Sequence, residues 1–193
     1  AGKGTIARRV LSPLVAEHIS VGNILRHEIE QGSALGQKAA ANYHSGVLVD
    51  NELVFEVLNK RLQAVKEGQG FILDGFPRTL RQAEELERLL EANGTPLTKA
   101  IRLDLPDAQL MMRVAGRQVC PLCGKVYHIY FNIPRQKGIC DDDGTPLKKR
   151  SDDENEAIMK RLSVYNQAIS PVVNYYKQKG ILCEIDATGQ VDE

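Results

Sequence analysis

Four short apolar runs, separated by stretches of helical periodicity, constrain this chain more than any other feature. The first ends in His18-Ile19-Ser20. The second is Gly70-Phe71-Ile72-Leu73-Asp74-Gly75, the third Ala100-Ile101-Arg102-Leu103-Asp104-Leu105, and the last covers 181–186. Between them apolar residues recur every three or four positions, as at Ile24, Leu25 and Ile29, and at Leu53, Val54, Val57, Leu58, Leu62 and Val65. Strands alternating with helices predict an α/β fold, a parallel sheet with helices on both faces. The same patterns predict helices over 3–11 (stopped by Pro13), 34–45 (ended by Gly46) and 51–66. A further helix starts at Thr79, with Gln82 at the capping-box position, and ends near Asn93-Gly94. Asp107 is expected to cap a helix to about 117, and a long helix over about 154–179 should be bent or interrupted near Ser170-Pro171. Val47-Leu48-Val49 reads as an extended patch.

Residues 119–150 break this pattern with cysteines, glycines, prolines and short β-like runs such as 125–131. The segment is too long for an ordinary connection and reads as an inserted mini-domain. Three of the four cysteines fall inside it. Cys120-x2-Cys123, sixteen residues, then Cys140-x2-Asp143 forms two close pairs that can converge on one tetrahedral ion. Gly124 and Gly144 supply the turn after each pair. Three thiolates and a carboxylate at a closed site mean structural zinc, which would staple a unit too small for its own core. Asp141, Asp142 and His128 compete with Asp143 for the fourth place, and free thiols or a disulfide are the plain alternatives. Cys183, in an apolar strand, reads as a small core residue.

Gly2-Lys3-Gly4-Thr5 reads as the tail of a phosphate-binding P-loop, with half the motif absent. Glycines let backbone N–H groups crowd phosphate oxygens, and the helix that starts here turns its positive end toward the anion. Lys3 would reach the β- and γ-phosphates, and the Thr5 hydroxyl would lie near Mg²⁺. Alone, such a string is equally a lysine in a terminal turn. No methionine or strand precedes it, and the chain stops at Val191-Asp192-Glu193, so both ends read as cuts in a longer protein. Lys+Arg and Asp+Glu balance at 25 each, which leaves no bulk field for nucleic acid or an anionic membrane. No apolar run approaches the roughly 20 residues of a membrane span. No secretory signal is visible, and a cytoplasmic setting is expected.

Asp74-Gly75-Phe76-Pro77-Arg78, followed by Gln82, is the most specific string in the chain. Taken with Gly2-Lys3-Gly4-Thr5, His18-Ile19-Ser20-Val21-Gly22-Asn23, Gly116-Arg117, Val126-Tyr127-His128, Phe131-Asn132-Ile133-Pro134, Arg150-Ser151-Asp152-Asp153 and Lys160-Arg161-Leu162, it resembles the adenylate kinase family, in register over nearly the whole chain. The long segment with paired cysteines resembles that family's zinc-bearing branch.

The resemblance implies a P-loop kinase core (1–19, 50–118 and 153–193), an AMP-binding arm (20–49) and a lid (119–152). It implies reversible phosphoryl transfer from MgATP to AMP by a monomer. Lys3, Arg78, Arg117, Arg150 and Arg161 would surround the transferring group. ATP would meet Ala1, Gly2, Lys3, Gly4, Thr5, Arg113, Arg117, Val126, Tyr127 and Gly189. AMP would meet Val21, Arg26, Val47, Leu48, Val49, Gly75, Phe76, Pro77, Arg78, Gln82, Arg150 and Arg161. Asp74 would hold the water shell of Mg²⁺. Such chemistry needs alignment and charge neutralisation rather than a general base, and arginine's planar fork matches phosphate oxygens. Val21 and Asn23 stand where the family usually has Thr and Asp. A lost neutral hydrogen bond there costs about 0.5–1.5 kcal/mol, enough to weaken AMP binding several-fold.

Other arginines, Arg8, Arg9, Arg61, Arg81 and Arg88, read as surface charges. The histidines carry no assigned role. Gly116 and the region of Asp152 are candidate hinges for closing lid and arm. Two readings compete. One keeps the fold and changes the acceptor to another nucleoside monophosphate. The other is a zinc-ribbon binding module, against which the balanced charge speaks.

Overall fold

The computed structural model describes the chain apart from residues 1, 12, 15, 67, 151, 152, 154 and 190–193. Its helices are α1 (Lys3–Leu11), α2 (Val21–Glu30), α3 (Ala34–Ser45), α4 (Asn51–Gln63), α5 (Leu80–Ala92), α6 (Asp107–Ala115) and α7 (Asn155–Gln178). Its strands are β1 (Ala16–Ser20), β2 (Gly70–Asp74), β3 (Ala100–Asp104), β4 (Arg117–Val119), β5 (Val126–His128) and β6 (Leu182–Asp186).

Helix ends follow local chemistry where side chains cap them. Ser33 Oγ accepts from the Gly36 N–H at 3.0 Å, Asp50 Oδ1 from Glu52 at 2.8 Å, and Thr79 Oγ1 from Gln82 at 3.2 Å. Gly46 closes α3 in the left-handed region, φ 74°. Two expectations need correction. Asp107 is not the cap of α6. Pro106 holds that place without a side-chain bond, and the helix stops at Ala115, so that Arg117 can open a strand. And α7 is not interrupted at Pro171. Val172 and Tyr176 beyond the proline pack with Ala83, and Ile169 before it joins the same cluster, so packing carries the helix across the lost hydrogen bond.

The parallel strands form two pairs. β1 runs beside β2, Ala16 opposite Gly70 through Ser20 opposite Asp74. β3 runs beside β6, Ala100 opposite Leu182 through Asp104 opposite Asp186. Among the described residues no ladder joins the pairs. The main core lies under β1 and β2, where Ile19, Val21, Leu25, Val54, Val57, Leu58, Phe76, Leu86 and Leu90 meet. Cys183 does not join a core: it is exposed, opposite Ile101, which is 63% exposed, because nothing among the described residues covers that face of β3 and β6.

The inserted segment folds on the short antiparallel pair β4–β5 with bridges Val119–Lys148, His128–Asn132 and Ile139–Pro146. Its buried cluster is only Cys120, Tyr127 and Cys140, with Leu147 packed against them. No helix among the described residues is long and apolar enough to cross a membrane.

Candidate active site and metal cluster

The turn that opens α1, the end of β2 and the first half of α7 come close together. Gly2 precedes α1 with φ 83° and its carbonyl accepts from Thr5 and Ile6 at 3.0 Å, which sets the first turn. Lys3 follows. Its side chain touches solvent yet stands deep among protein atoms. Loss of hydration, then repulsion from Arg78, Arg161 and Arg117, pulls its ammonium below the ordinary lysine value, with Asp74 acting the other way. The charges of Arg78, Asp74, Arg161 and Arg117 thus all bear on this one ammonium.

Each arginine is held from behind. The backbone N–H of Arg78 donates to Gln82 Oε1 at 2.8 Å, and its Nε donates to the Gly75 carbonyl at 2.8 Å. Arg117 makes a two-pronged pair with Asp153: Nε meets Oδ2 at 2.8 Å, and Nη2 bonds Oδ1. Arg161 lies 4.0 Å from the same carboxylate, which is 0% exposed. A buried acid thus ties the opening of β4 to α7. Asp74 ends β2, and His18 Nε2 lies 3.3 Å from its Oδ2. Burial opposes its ionisation, but the His18 hydrogen bond and the charges of Lys3, His18 and Arg78 outweigh this and hold the carboxyl below the usual range. A Cβ at Gly4 would stand 3.2 Å from that carboxylate, so the loop backbone lies directly against it.

On α2, Arg26 Nη1 donates to Asn23 Oδ1 at 3.1 Å, its guanidinium lies over the Tyr43 ring, and its Nε is buried with no hydrogen-bond partner among the described residues. Arg150 Nη2 reaches the Tyr43 hydroxyl at 3.3 Å. On the far side, Arg113 Nη2 donates to the carbonyls of Thr188 at 3.1 Å and Gly189 at 2.9 Å, which brings those two expected residues together.

Several expected ligand residues face elsewhere. Val21 and Phe76 are core side chains, Phe76 edge-on to Phe55, leaving only their main chains for a ligand. Gln82 spends its amide on Arg78 and on Asn51 Oδ1, at 2.9 Å; its oxygen meets Arg78 rather than the Thr79 N–H of a capping box. Tyr127 is 1% exposed, packed with Cys120 and Cys140 inside the inserted segment. Val47 is exposed, Leu48 half-buried, and Val49 leans on the core. Val126 and Pro77 are half-buried. Ala1 and the hinge position Asp152 lie outside the described residues. At Gly116, the other expected hinge, a Cβ would meet His128 Nε2 at 2.5 Å. That nitrogen donates to the Met112 carbonyl at 3.2 Å, and Nδ1 accepts from Tyr130 and Phe131.

Cys120, Cys123, Cys140 and Asp143 place one ligand atom each within 4.8 Å of one another. Cys123 Sγ stands 3.6 Å from Cys140 Sγ, and Cys120 Sγ stands 3.2 Å from Asp143 Oδ2. The competing ligands are engaged elsewhere: Asp141 accepts from the Arg135 N–H, Asp142 pairs with Lys125 at 2.6 Å, and His128 bonds the Met112 carbonyl. A hydrogen bond from the Lys125 backbone favours the Cys123 thiolate. Burial and the neighbouring Asp143, Cys120 and Cys140 outweigh it and push the thiol up to about 12. The same contacts favour the charged forms of Cys140 and Asp143, and three sulfurs with one carboxylate drawn this close form a donor set that fits a divalent cation. The cluster is compatible with zinc, and all four cysteines are unpaired by disulfide.

Asp153, His18, Asn51 and Tyr43 escaped the reading of the sequence as site residues. Asp153 sits inside a motif string, a signal available in principle. His18 becomes visible only through the β1–β2 register, and Tyr43 has no local signal.

A family model described as adenylate kinase matches residues 1–181. The chain is similar to curated adenylate kinases. It is 42% identical over 193 residues to that of Lachnospira eligens, covering 100% of this chain and 91% of the relative. To that of Methanocella arvoryzae it is 42% identical, covering 100% and 89%. To that of Thermodesulfovibrio yellowstonii it is 41% identical, covering 100% and 90%.

Proposed function

The chain belongs to the adenylate kinase family, a family of ATP:AMP phosphotransferases that use MgATP, and we propose that its cationic cleft is where the phosphoryl group passes. The observation that carries this reading is geometric: the backbone at Gly4, next to Lys3, lies against the Asp74 carboxylate, the Arg78 guanidinium lies against Gly75 at the end of the same strand, and Arg117 and Arg161 share the buried Asp153. Two polyphosphates repel each other, and no single cation aligns them. Several fixed guanidinium groups around one ammonium do.

In this reading the backbone over 1–5, with Lys3, cradles the ATP phosphates. Arg113, Gly189 and the main chain at Val126 and Tyr127 take its adenine. Arg26, Arg78 and Arg150 take the AMP phosphate. Gly75, the main chains at Val21, Phe76 and Pro77, the patch over 47–49 and the positioned Gln82 frame its nucleoside. Arg117 and Arg161, aimed by Asp153, close on the moving group. Thr5 and Asp74 are the residues that would hold Mg²⁺, which supplies charge neutralisation at the phosphates. No side chain need remove a proton, because the AMP phosphate is already anionic. The core over 1–19, 50–118 and 153–193 then carries two mobile covers, an arm over 20–49 and a lid over 119–152. Their closure would exclude the water that competes for the phosphoryl group. Zinc at Cys120, Cys123, Cys140 and Asp143 would hold the lid in one piece, and the enzyme would act as a cytoplasmic monomer.

Steady-state assays of the full-length chain with MgATP and each of AMP, GMP, CMP and UMP test this reading. ADP formation with a strong preference for AMP is expected. A preference for another monophosphate would move the acceptor assignment, and no transfer to any would refute the reading.

A further inference from the structure

Tyr43 stands between two arginines assigned above to the AMP phosphate, yet belongs to no motif that points to either. It lies on α3, three residues before Gly46 closes that helix. The Arg26 guanidinium carbon sits over its ring, 5.9 Å from the centroid. Its hydroxyl accepts from Arg150 Nη2 at 3.3 Å. The ring also packs against the main core cluster, which anchors it. On its other side Arg26 is held only by the neutral Asn23, through Nη1, and its Nε is buried with no hydrogen-bond partner among the described residues.

We propose that Tyr43 is a positioning residue for the acceptor phosphate: its ring fixes the plane of Arg26, its hydroxyl fixes the head of Arg150, and both forks are set before AMP arrives. The proposal rests on the adenylate kinase reading and deepens it at the acceptor side. A free arginine surrenders much side-chain entropy when it grips a phosphate. An aromatic platform and a hydroxyl acceptor remove part of that loss in advance, which shows as affinity. The two arginines come from different parts of the chain, the arm and the end of the inserted segment. One tyrosine therefore makes the two guanidinium groups act as a unit on one ligand.

Two substitutions in the full-length enzyme separate the contributions. Tyr43→Phe keeps the platform and removes the acceptor. Its KM for AMP should rise about three- to tenfold, the equivalent of one hydrogen bond. The KM for MgATP, whose base contacts involve Arg113 and Gly189, should stay within about twofold. Tyr43→Leu removes the platform as well and should raise the AMP KM further. Calorimetry of AMP binding without ATP should give the same ratios, and the melting temperature of Tyr43→Phe should hardly move. Unchanged KM values in Tyr43→Phe, or AMP and MgATP values rising in proportion with a lower melting temperature, would mark a merely structural tyrosine and overturn the proposal while leaving the family assignment intact. A wild-type enzyme that binds neither nucleotide would instead defeat the underlying reading, and the proposal with it.

Discussion

Asp153 does more for the cleft than its small size implies. It is fully buried, it takes both prongs of Arg117, and Arg161 lies at 4.0 Å. Removing its charge leaves two half-buried guanidinium groups without their shared anchor. Asp153→Asn should cost about 3 kcal/mol of stability, read by denaturant unfolding. It should also lower kcat about 100-fold, as loss of aim at a developing charge does. Asp74 carries a pH signature. Its folded pKa lies below the unfolded one, so its contribution to stability is fully present above the ordinary aspartate value of about 3.9. That contribution is lost as pH falls through the lowered folded value. Asp74→Asn should flatten that part of the acid limb, and an unchanged limb would show that the His18, Lys3 and Arg78 contacts contribute nothing. At this scale the motifs name Lys3, Arg78, Arg117 and Arg161, and the charges of the three arginines bear on Lys3. What escaped were the partners. Neither the burial of Val21 and Phe76 nor the pairing of His18 with Asp74 has a signal shorter than the distance between the strands.

Gly46 joins an element end to the cleft. It sits at φ 74°, and a Cβ there would stand 2.8 Å from the Ala157 carbonyl and 2.9 Å from Arg161 Cγ. Gly46→Ala should therefore strain the C-terminus of α3 and push Arg161 on α7, costing about 1–3 kcal/mol and lowering kcat more than it raises either KM. The effect should appear in thermal melts and in single-turnover rates. Helix ends such as Gly46 and Thr79 are readable because their chemistry is local; the Ser33 cap has the same local chemistry but goes unread. The start of α6 and the continuity of α7 through Pro171 were not, because distant packing decides them. The strands themselves were readable. Their pairing, β1 with β2 and β3 with β6, was not, because apolar runs of similar composition do not name their neighbours.

At the scale of the whole molecule, the account makes the lid a separately stapled body. A chelator should strip one zinc per chain, counted by mass spectrometry of the native protein. Hydrogen exchange should then accelerate over 119–150 while β1, β2 and α5 keep their protection. Equal loss everywhere would contradict a local staple. The central claim is that cations from distant parts of the chain share one pair of phosphate groups. The most direct measurement is a crystal structure of the full-length protein with two adenosines joined by a five-phosphate bridge. The account predicts a single continuous phosphate chain within hydrogen-bond reach of Lys3, Arg78, Arg117, Arg150 and Arg161. A bridge bound elsewhere, or arginines left facing separate clefts, would contradict it.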